Sequence, residues 1–480
     1  MSEVKPFWVA GKPRTGAAVH EVHNPYDGHV VDRHAEPTPV DVEEAVAAAV
    51  AVQPEALATT AAERADALMH VSAQLTARAD EVAQLITAEN GKPLMWSRAE
   101  ANRGASTFRW AAEEARRWSG ELQRLDTDAS AAGRMALIRR FPNGPVLGIA
   151  PFNFPLNLVA HKLAPALAVG APIIVKPAPA TPLTALLLGE ILAETDLPAG
   201  MWSVLPLANE QTAALVADPR LPVVSFTGSE TVGYQIQASQ PAKHVILELG
   251  GNAAAAVLPD WSSDADLDWA ATRIATFGNY QAGQSCISVQ RVLVDESLYE
   301  RFVPMLVDKL NTLKTGSPSD ADVVVGPVIN EAAAERIGSW IDDAVASGAQ
   351  VLAGGTREGT TITPTLLAGV AHEAKVSCEE VFGPVMTIAP VAGVDGALAA
   401  VNDSRFGLQA GLFTHDLQVA FRAHRELLVG GVVIGDVPSF RADQMPYGGV
   451  KSSGLGREGL QAAMTDLTHD RVLVLTGVDL

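Results

Sequence analysis

Five short apolar runs between residues 145 and 249 decide the fold. They are PVLGIA (145–150), IIV (173–175), SVL (203–205), VVSF (223–226) and VILEL (245–249). Helical patterns separate the later runs, at 181–195, 209–217 and 229–239. This alternation predicts a buried parallel sheet with helices on its faces. Ligands of such sheets bind at the carboxyl ends of the strands, where Lys176 and Thr227-Gly228-Ser229 fall.

The chain on either side of this sheet is also patterned. Before it, helices are predicted at 41–50, 61–89 and 97–118. The first opens on a capping-box pattern, Asp41 and Glu44, and the second stops at Asn90-Gly91. A second α/β region starts near Asn252, with predicted strands at 287–294 and 432–434 and helices at 298–313 and 331–347. Segments 134–140 and 468–478 are predicted to pair as a small extra sheet.

The composition predicts a globular protein of several domains. A chain of 480 residues has room for about three units at roughly 150 residues each. The net charge of −20 argues against a nucleic-acid or membrane partner, because phosphate backbones and anionic lipids repel an acidic surface. We expect neither kind of partner.

Cysteine usage and hydropathy predict the compartment. Cys286 and Cys378 are too few for a disulfide framework, and no Cys/His spacing resembles a zinc site, so we expect no metal. Residues 1–12 lack the apolar core of a signal peptide, and prolines interrupt the largely uncharged region 141–189, which argues against a membrane helix. These features predict a reducing, cytoplasmic setting.

Three residues are candidates for chemistry. Cys286 follows a glycine-containing loop that leads into a predicted strand, so it is either an exposed nucleophile or an inert buried thiol. Glu248 lies in an apolar strand before two glycines, which suits a general base or a structural ion pair. Asn153 stands between Pro151 and Pro155, as an oxyanion donor or a turn residue.

The segment GLGREG (454–459) matches the dinucleotide pattern GxGxxG but is not interpreted as one. It follows no clear strand, and too few residues remain after it for a βαβ unit. We expect these glycines to form a loop that caps a helix at 460–466.

Seven segments together resemble the aldehyde dehydrogenase superfamily, in its order and at its spacings. They are PFNFP (151–155), KPAPATP (176–182), FTGSETVG (226–233), ELGG (248–251), GQSC (283–286), EEVFGP (379–384) and PYGGVKSSG (446–454). The resemblance covers nearly the whole chain. The stretch GDVPSFR (435–441) is similar to the lactaldehyde and glyceraldehyde dehydrogenase branch.

The resemblance implies an α/β fold of three parts. A Rossmann-type NAD(P)-binding domain would comprise residues 1–122 and 142–251, and an α/β catalytic domain residues 252–455. Residues 123–141 and 456–480 would form a small β oligomerisation arm. Members of the family are usually homodimers or homotetramers.

The resemblance also implies a mechanism. The Cys286 thiolate would attack the aldehyde, and the Asn153 amide and the Cys286 backbone N–H would hold the oxyanion. After hydride transfer to the nicotinamide, water activated by Glu248 would hydrolyse the thioester. Lys162 and Glu458 match residues proposed to relay protons, although both could be ordinary ion-pair partners.

The cofactor residues are implied by matching positions. Lys176 matches the residue that holds the adenosine ribose, and the remaining positions are Ile149, Pro151, Pro179, Gly228, Ser229, Gly233, Leu249, Gly250, Glu380 and Phe382. NAD-preferring relatives usually carry a glutamate where this chain has Pro179, whose side chain can neither accept from a 2′-hydroxyl nor repel a 2′-phosphate. The departure predicts that NADP is tolerated and leaves open that it is preferred.

The substrate positions follow by offset from the motifs. They are Asn157, His161, Tyr280, Ser285, Ile287, Ser439, Arg441 and Tyr447. Polar groups and an arginine favour a small polar or anionic aldehyde, because a guanidinium recognises carboxylates and phosphates. Alternatively, Arg441 pairs with Asp443 or Asp436 and never meets the substrate.

Two other functions are weighed against this one. Coenzyme-A-acylating relatives generally lack the glutamate base, so Glu248 argues against that activity. A non-catalytic binding protein on the same scaffold is disfavoured because Cys286, Glu248 and Asn153 are all present.

Overall fold

The computed structural model describes residues 4–16 and 18–477, so Val478, the last residue of the predicted closing strand, lies outside the described residues. The described chain has an α/β fold, as predicted, with an eight-stranded, a seven-stranded and a three-stranded sheet. Within the described residues, no helix has the length and hydropathy needed to cross a membrane.

The eight-stranded sheet contains all five predicted apolar runs. They form parallel strands in the order Trp202–Val204, Ile173–Lys176, Val146–Ile149, Val223–Thr227 and His244–Glu248. Phe7–Val9 and Lys12–Arg14 extend one edge antiparallel, and Gly454–Leu455 extends the other. The intervening helices are Asn157–Val169, Leu183–Leu192, Asn209–Ala217 and Glu230–Ser239. The carboxyl ends of four neighbouring strands therefore lie next to each other at the same end of the sheet. These strands end at Lys176, Ile149, Thr227 and Glu248.

The helices before this sheet differ in detail from the prediction. They span Pro39–Ala51, Gln53–Ala58, Ala61–Ala77, Ala79–Asn90 and Leu94–Arg117. The first capping box joins Thr38 to Asp41 rather than Asp41 to Glu44, because Pro39 fits the first helical position and Thr38 caps it. The predicted helix at 61–89 is two helices, broken where Arg78 leaves helical geometry. Gly91 ends the second at φ +75°, as glycine readily does.

The seven-stranded sheet carries the second α/β region. Its strand order is Gln350–Ala353, Thr365–Ala368, Val385–Val391, Arg291–Asp295, Ala254–Val257, Gln409–Phe413 and Gly431–Ile434, and all but the first are parallel. Its helices are Asp264–Asn279, Glu296–Asn311, Glu331–Ala346, Lys375–Cys378, Gly393–Asn402 and Leu417–Glu426. The strand predicted from Ile287 begins at Arg291, because Ser288 still bonds back to Ser285 in a turn.

The predicted small sheet is present. Thr468–Thr476 pairs antiparallel with Arg134–Pro142, which also pairs with Glu121–Arg124. Short strands also form two-stranded antiparallel sheets, in which Val19–His23 pairs with Val30–Ala35, Arg357–Glu358 with Thr361–Ile362, and Phe406–Gly407 with Val450–Lys451. Short 3-10 helices lie at Ala129–Ala131 and Tyr280–Gly283. As expected, the glycine segment leads into the helix Leu460–Asp466, with Gly459 at its N-cap.

Candidate active site

A cavity of about 1180 Å³ lies where the strands of the eight-stranded sheet end. Cys286, Glu248 and Asn153 all line it. Of the predicted site residues, His161, Lys162 and Gly233 lie outside the lining, and all the others are part of it. The tertiary structure therefore brings predicted site residues from between positions 149 and 458 together in one cavity.

Cys286 lies in a turn with unusual backbone geometry. Gln281 and Ala282, just before it, have φ of 52° and 53°. Burial raises the pKa of the Cys286 thiol to about 12, and the nearby Tyr447 hydroxyl, whose oxygen is 2.9 Å from Sγ, lowers it. The thiol is therefore protonated at rest, and attack requires that it lose its proton.

The Asn153 side chain is buried in the cavity wall beside the Cys286 turn. Its Nδ2 donates a hydrogen bond of 2.9 Å to the Gln284 carbonyl, which leaves the second amide hydrogen available to a ligand. Its Oδ1 has no hydrogen-bond partner among the described residues. The amide is thus fixed by one bond while its second donor stays available.

The Glu248 carboxylate is buried at the end of its strand, and neither of its oxygens has a hydrogen-bond partner in residues 4–16 and 18–477. Burial, with the nearby charge of Glu458, raises the pKa of Glu248 well above its ordinary value. Gly448 permits this placement, because a Cβ there would lie 2.9 Å from Oε1. A raised carboxyl pKa suits a general base that must take up a proton near neutral pH.

A second carboxylate, Glu458, lies in the same wall and is fully paired. The Arg441 guanidinium donates to its Oε2 at 3.0 Å, and Lys162 Nζ lies 3.6 Å from its Oε1. Burial would raise the pKa of Glu458, but Lys162 and Arg441 outweigh burial and lower it. The structure thus gives two adjacent carboxyl groups opposite pKa shifts.

All the predicted cofactor residues except Gly233 line the same cavity. Lys176 Nζ donates to Asn209 Oδ1 at 2.9 Å, and burial lowers its pKa to about 8. Burial raises the pKa of Glu380 to about 7, although Glu380 accepts the Gly251 N–H at 2.9 Å.

Glycines let the wall of this region pack closely. A Cβ at Gly250 would collide with the Glu380 carboxylate, and one at Gly228 would lie 2.6 Å from the Phe226 ring. Gly233 acts from behind the wall, since a Cβ there would lie 2.5 Å from a Leu249 methyl. These close approaches leave space and backbone groups for a long ligand such as a dinucleotide.

The comparison with known protein families agrees with this geometry. The model of the aldehyde dehydrogenase family matches residues 8–473. The chain belongs to the aldehyde dehydrogenase family.

Relatives of this aldehyde dehydrogenase match over almost their whole length. The 3-sulfolactaldehyde dehydrogenase of Priestia aryabhattai is 40% identical, over 99% of each chain. Aldehyde dehydrogenase 21 of Physcomitrella patens, solved with the reaction product succinate, is 42% identical and superposes with a TM-score of 0.97, covering 100% of this chain and 99% of that one. The NADP-dependent glyceraldehyde-3-phosphate dehydrogenase of Bacillus halodurans C-125, solved with NADP, is 33% identical with a TM-score of 0.94, covering 99% and 100%.

The partner of Arg441 in this aldehyde dehydrogenase is not one that the sequence suggested. Asp443 instead accepts from Arg103 at 2.8 Å and lies 3.0 Å from His161 Nε2, and Asp436 pairs with Arg273. His161 is fully buried and is not among the residues that line the cavity, and its predicted contact with the substrate stays a prediction.

Sequence reasoning missed three arginines that line the cavity of this enzyme, Arg103, Arg273 and Arg336. Arg103 comes from the helix Leu94–Arg117, and Arg273 from Asp264–Asn279. Nothing near Arg103 in sequence marks it, because its partner Asp443 lies 340 residues further along the chain. In the part of the chain that the structure describes, no cluster of three His, Cys, Asp or Glu residues could hold a metal ion.

Proposed function

We propose that the enzyme oxidises a small anionic aldehyde to its carboxylic acid with NAD(P)+. The observation that carries this proposal is the Glu248 carboxylate, which has no hydrogen-bond partner among the described residues and lines the same cavity as Cys286. A nucleophile and a separate base are what a two-stage acyl transfer to water needs. The same chemistry needs Cys286 as a free thiol, which supports a reducing, cytoplasmic setting.

In the first stage, the Cys286 thiol gives its proton to a water molecule, and the resulting thiolate sulfur attacks the aldehyde carbon. The carbonyl oxygen becomes an oxyanion that the free amide hydrogen of Asn153 and the Cys286 backbone N–H would hold. The Arg441 guanidinium contributes positive charge nearby, which lowers the pKa of Cys286 against the effect of burial. The product of this stage is a thiohemiacetal on Cys286.

The described residues fit a dinucleotide. The glycines at 228 and 250 have no side chain, so the cavity wall packs closely there while the space inside the cavity stays free for a ligand. Lys176, Ser229 and Glu380 would hold it. Bound there, the dinucleotide supplies the hydride acceptor for the oxidation. Loss of the hydride leaves a thioester on Cys286.

In the second stage, Glu248 takes a proton from water, and the water oxygen attacks the thioester carbon. The acid is released and the Cys286 sulfur leaves as a thiolate. Lys162, which lies 3.6 Å from Glu458 and donates to Thr227 Oγ1 at 2.7 Å, would help Glu458 carry the proton away from Glu248.

Glu248→Gln tests the assignment of the base. We expect kcat to fall by about 10²–10⁴-fold, because the carboxylate can no longer take the proton from water. The parental kcat should fall as pH drops through the raised pKa of Glu248, since only the ionised form is a base, and the variant should lose that acid limb. Steady-state reduction of the dinucleotide across a pH series measures both effects.

Glu89→Gln is the matched control, because Glu89 is also a buried carboxylate with a raised pKa but lies outside the cavity lining. It should keep the parental acid limb. Parental kcat and pH profile in Glu248→Gln would contradict the role of the base. Formation of an acyl-CoA on addition of coenzyme A would favour the acylating alternative.

The charge of the cavity supports an anionic substrate. Arg103 and Arg441 both line it, and the Nε atom of each is buried without a hydrogen-bond partner among the described residues. Similar proteins are named for sulfolactaldehyde and glyceraldehyde-3-phosphate, and one holds succinate. These observations support a small aldehyde that carries a sulfonate, phosphate or carboxylate group.

Arg103→Met tests this class of substrate. We expect kcat/KM for succinate semialdehyde and glyceraldehyde 3-phosphate to fall roughly 10–100-fold, as loss of a charge-assisted hydrogen bond implies. Oxidation of propanal, which has no anionic group, should change little. Arg109→Met, on the same helix but paired at the surface with Glu113, is the control. Equal losses for propanal and the anionic aldehydes would remove Arg103 from substrate recognition.

The surroundings of Pro179 support acceptance of NADP. Pro179 and Lys176 both line the cavity, and Glu210, the acidic residue whose charge acts on Lys176, is not among the described lining residues. A 2′-phosphate would therefore meet a lysine without an opposing carboxylate in the lining.

Pro179→Glu should weaken NADP+ binding by at least about tenfold, because a carboxylate repels the 2′-phosphate. NAD+ binding should be unchanged or tighter. Titration calorimetry on both dinucleotides gives the two dissociation constants without turnover. A parental kcat/KM for NAD+ more than about tenfold above that for NADP+ would contradict the proposed tolerance.

We further propose that the predicted domain division holds and that the three-stranded sheet is the oligomerisation arm. This sheet exposes four large apolar side chains, those of Leu122, Val472, Leu473 and Val474. Exposed apolar side chains on one sheet support its burial against another copy of the chain in a homodimer or homotetramer. Sedimentation velocity should give a dimer or tetramer, and Leu473→Glu should shift it toward smaller species. A parental monomer at all concentrations would overturn this proposal.

A further inference from the structure

A buried amide outside the catalytic set joins the two loops that meet at the oxyanion position. Gln281 is 1% exposed, and its Nε2 donates to the backbone carbonyl of Asn153 and, at 3.2 Å, to Asn90 Oδ1. Asn90 Nδ2 donates in turn to the Phe152 carbonyl at 2.7 Å. Two consecutive carbonyls of the Asn153 loop are therefore held by side-chain amides from other segments.

The bonds around Gln281 close into a ring. Gln281 holds the Asn153 carbonyl, Asn153 Nδ2 donates to the Gln284 carbonyl at 2.9 Å, and the Gln284 N–H donates to the Gln281 carbonyl at 3.1 Å. Each bond joins or shapes the loops that carry Asn153 and Cys286. A closed ring of this kind resists relative movement of the loops more than a single bond does.

The backbone at this point stores conformational energy. Gln281 and Ala282 are consecutive non-glycine residues at φ of 52° and 53°, in the left-handed region that most side chains avoid. Such geometry persists where surrounding contacts impose it, and it is concentrated at functional sites. The side-chain bonds of Gln281 are contacts of that kind.

We propose that Gln281 is a positioning residue that sets the distance between the two oxyanion donors, the Asn153 amide and the Cys286 N–H. It acts through Asn153 and does not touch the substrate, since Gln281 is not part of the cavity lining. The inference rests on the proposed function, in which those two donors hold the oxyanion. Asn90 assists by holding the neighbouring carbonyl.

The test is a double-mutant cycle with Gln281→Met and Asn153→Ala. Methionine keeps the length of the side chain but removes the donor hydrogens. We expect Gln281→Met to lower kcat roughly 10–100-fold, which is less than the roughly 10²–10³-fold loss expected for removal of a donor itself. KM for aldehyde and the dissociation constant for NADP+ should stay within about twofold.

The decisive result is non-additivity. In the Asn153→Ala background, Gln281→Met should lower kcat by less than about threefold, because the donor it positions is already gone. Alkylation of Cys286 by iodoacetamide, measured in a Cys378→Ser background, should keep the parental rate, since the oxyanion donors take no part in that reaction. Multiplicative losses in the double variant would overturn the inference.

Two further variants separate positioning from general stability. Asn24→Ala removes another buried amide that bridges two segments, to the Ala88 carbonyl and the Tyr26 N–H, but lies outside the cavity lining. It should lower the melting temperature without changing kcat. Asn90→Ala should repeat the kcat loss of Gln281→Met more weakly, and it serves as the test if Gln281→Met does not fold.

The outcomes distinguish this inference from the proposed function. If Asn153→Ala keeps the parental kcat, the oxyanion assignment itself is wrong. If Asn153→Ala lowers kcat while Gln281→Met and Asn90→Ala both keep the parental kcat, only the positioning role of Gln281 is wrong.

Discussion

The site depends on a carboxylate that folding has taken out of water without a hydrogen bond from any of the described residues. An unpaired buried polar group costs free energy, and a buried charge costs more. Glu248 bears this cost at the end of its strand, and its pKa is raised as a result. The neighbouring Glu458 avoids it, because Lys162 and Arg441 pair with it. At equilibrium Glu248 is thereby able to hold a proton while Glu458 stays charged, so Glu458 could carry a proton only in passing.

The contrast between Glu248 and Glu458 depends on the two large sheets and on the segment that contains Gly448 and Glu458, which returns to the first sheet. Glu248 ends a strand of the eight-stranded sheet, while Cys286 precedes the strand Arg291–Asp295 of the seven-stranded sheet. The segment with Gly448 and Glu458 then crosses back, and its strand Gly454–Leu455 pairs beside Glu248. Gly448 is needed there because a side chain would meet the carboxylate. The cavity is therefore shaped by contacts between parts of the chain that are distant in sequence.

Charge is distributed unevenly over the protein. The chain carries a net charge of −20, yet Arg103, Arg273 and Arg441 line the same cavity. The Nε atoms of Arg103 and Arg441, which have no hydrogen-bond partner among the described residues, can bind a small anion in this cavity, while the acidic surface repels polyanions. This combination matches the small anionic aldehydes that we propose and disfavours nucleic acid.

The sequence by itself determined the elements whose signals are local. Apolar runs of strand length located all five parallel strands of the eight-stranded sheet, and the ordered motifs located Cys286, Glu248 and Asn153 in one cavity. Where neighbouring signals competed, boundaries moved, as with the turn that delays the strand at Arg291 and the break at Arg78. The tertiary structure alone decided the pairings of the charged groups, which placed Arg441 on Glu458, Arg103 beside Asp443 and His161 outside the cavity. These pairings join residues that are far apart in sequence, and side-chain geometry selects among several equally charged partners that no local pattern distinguishes.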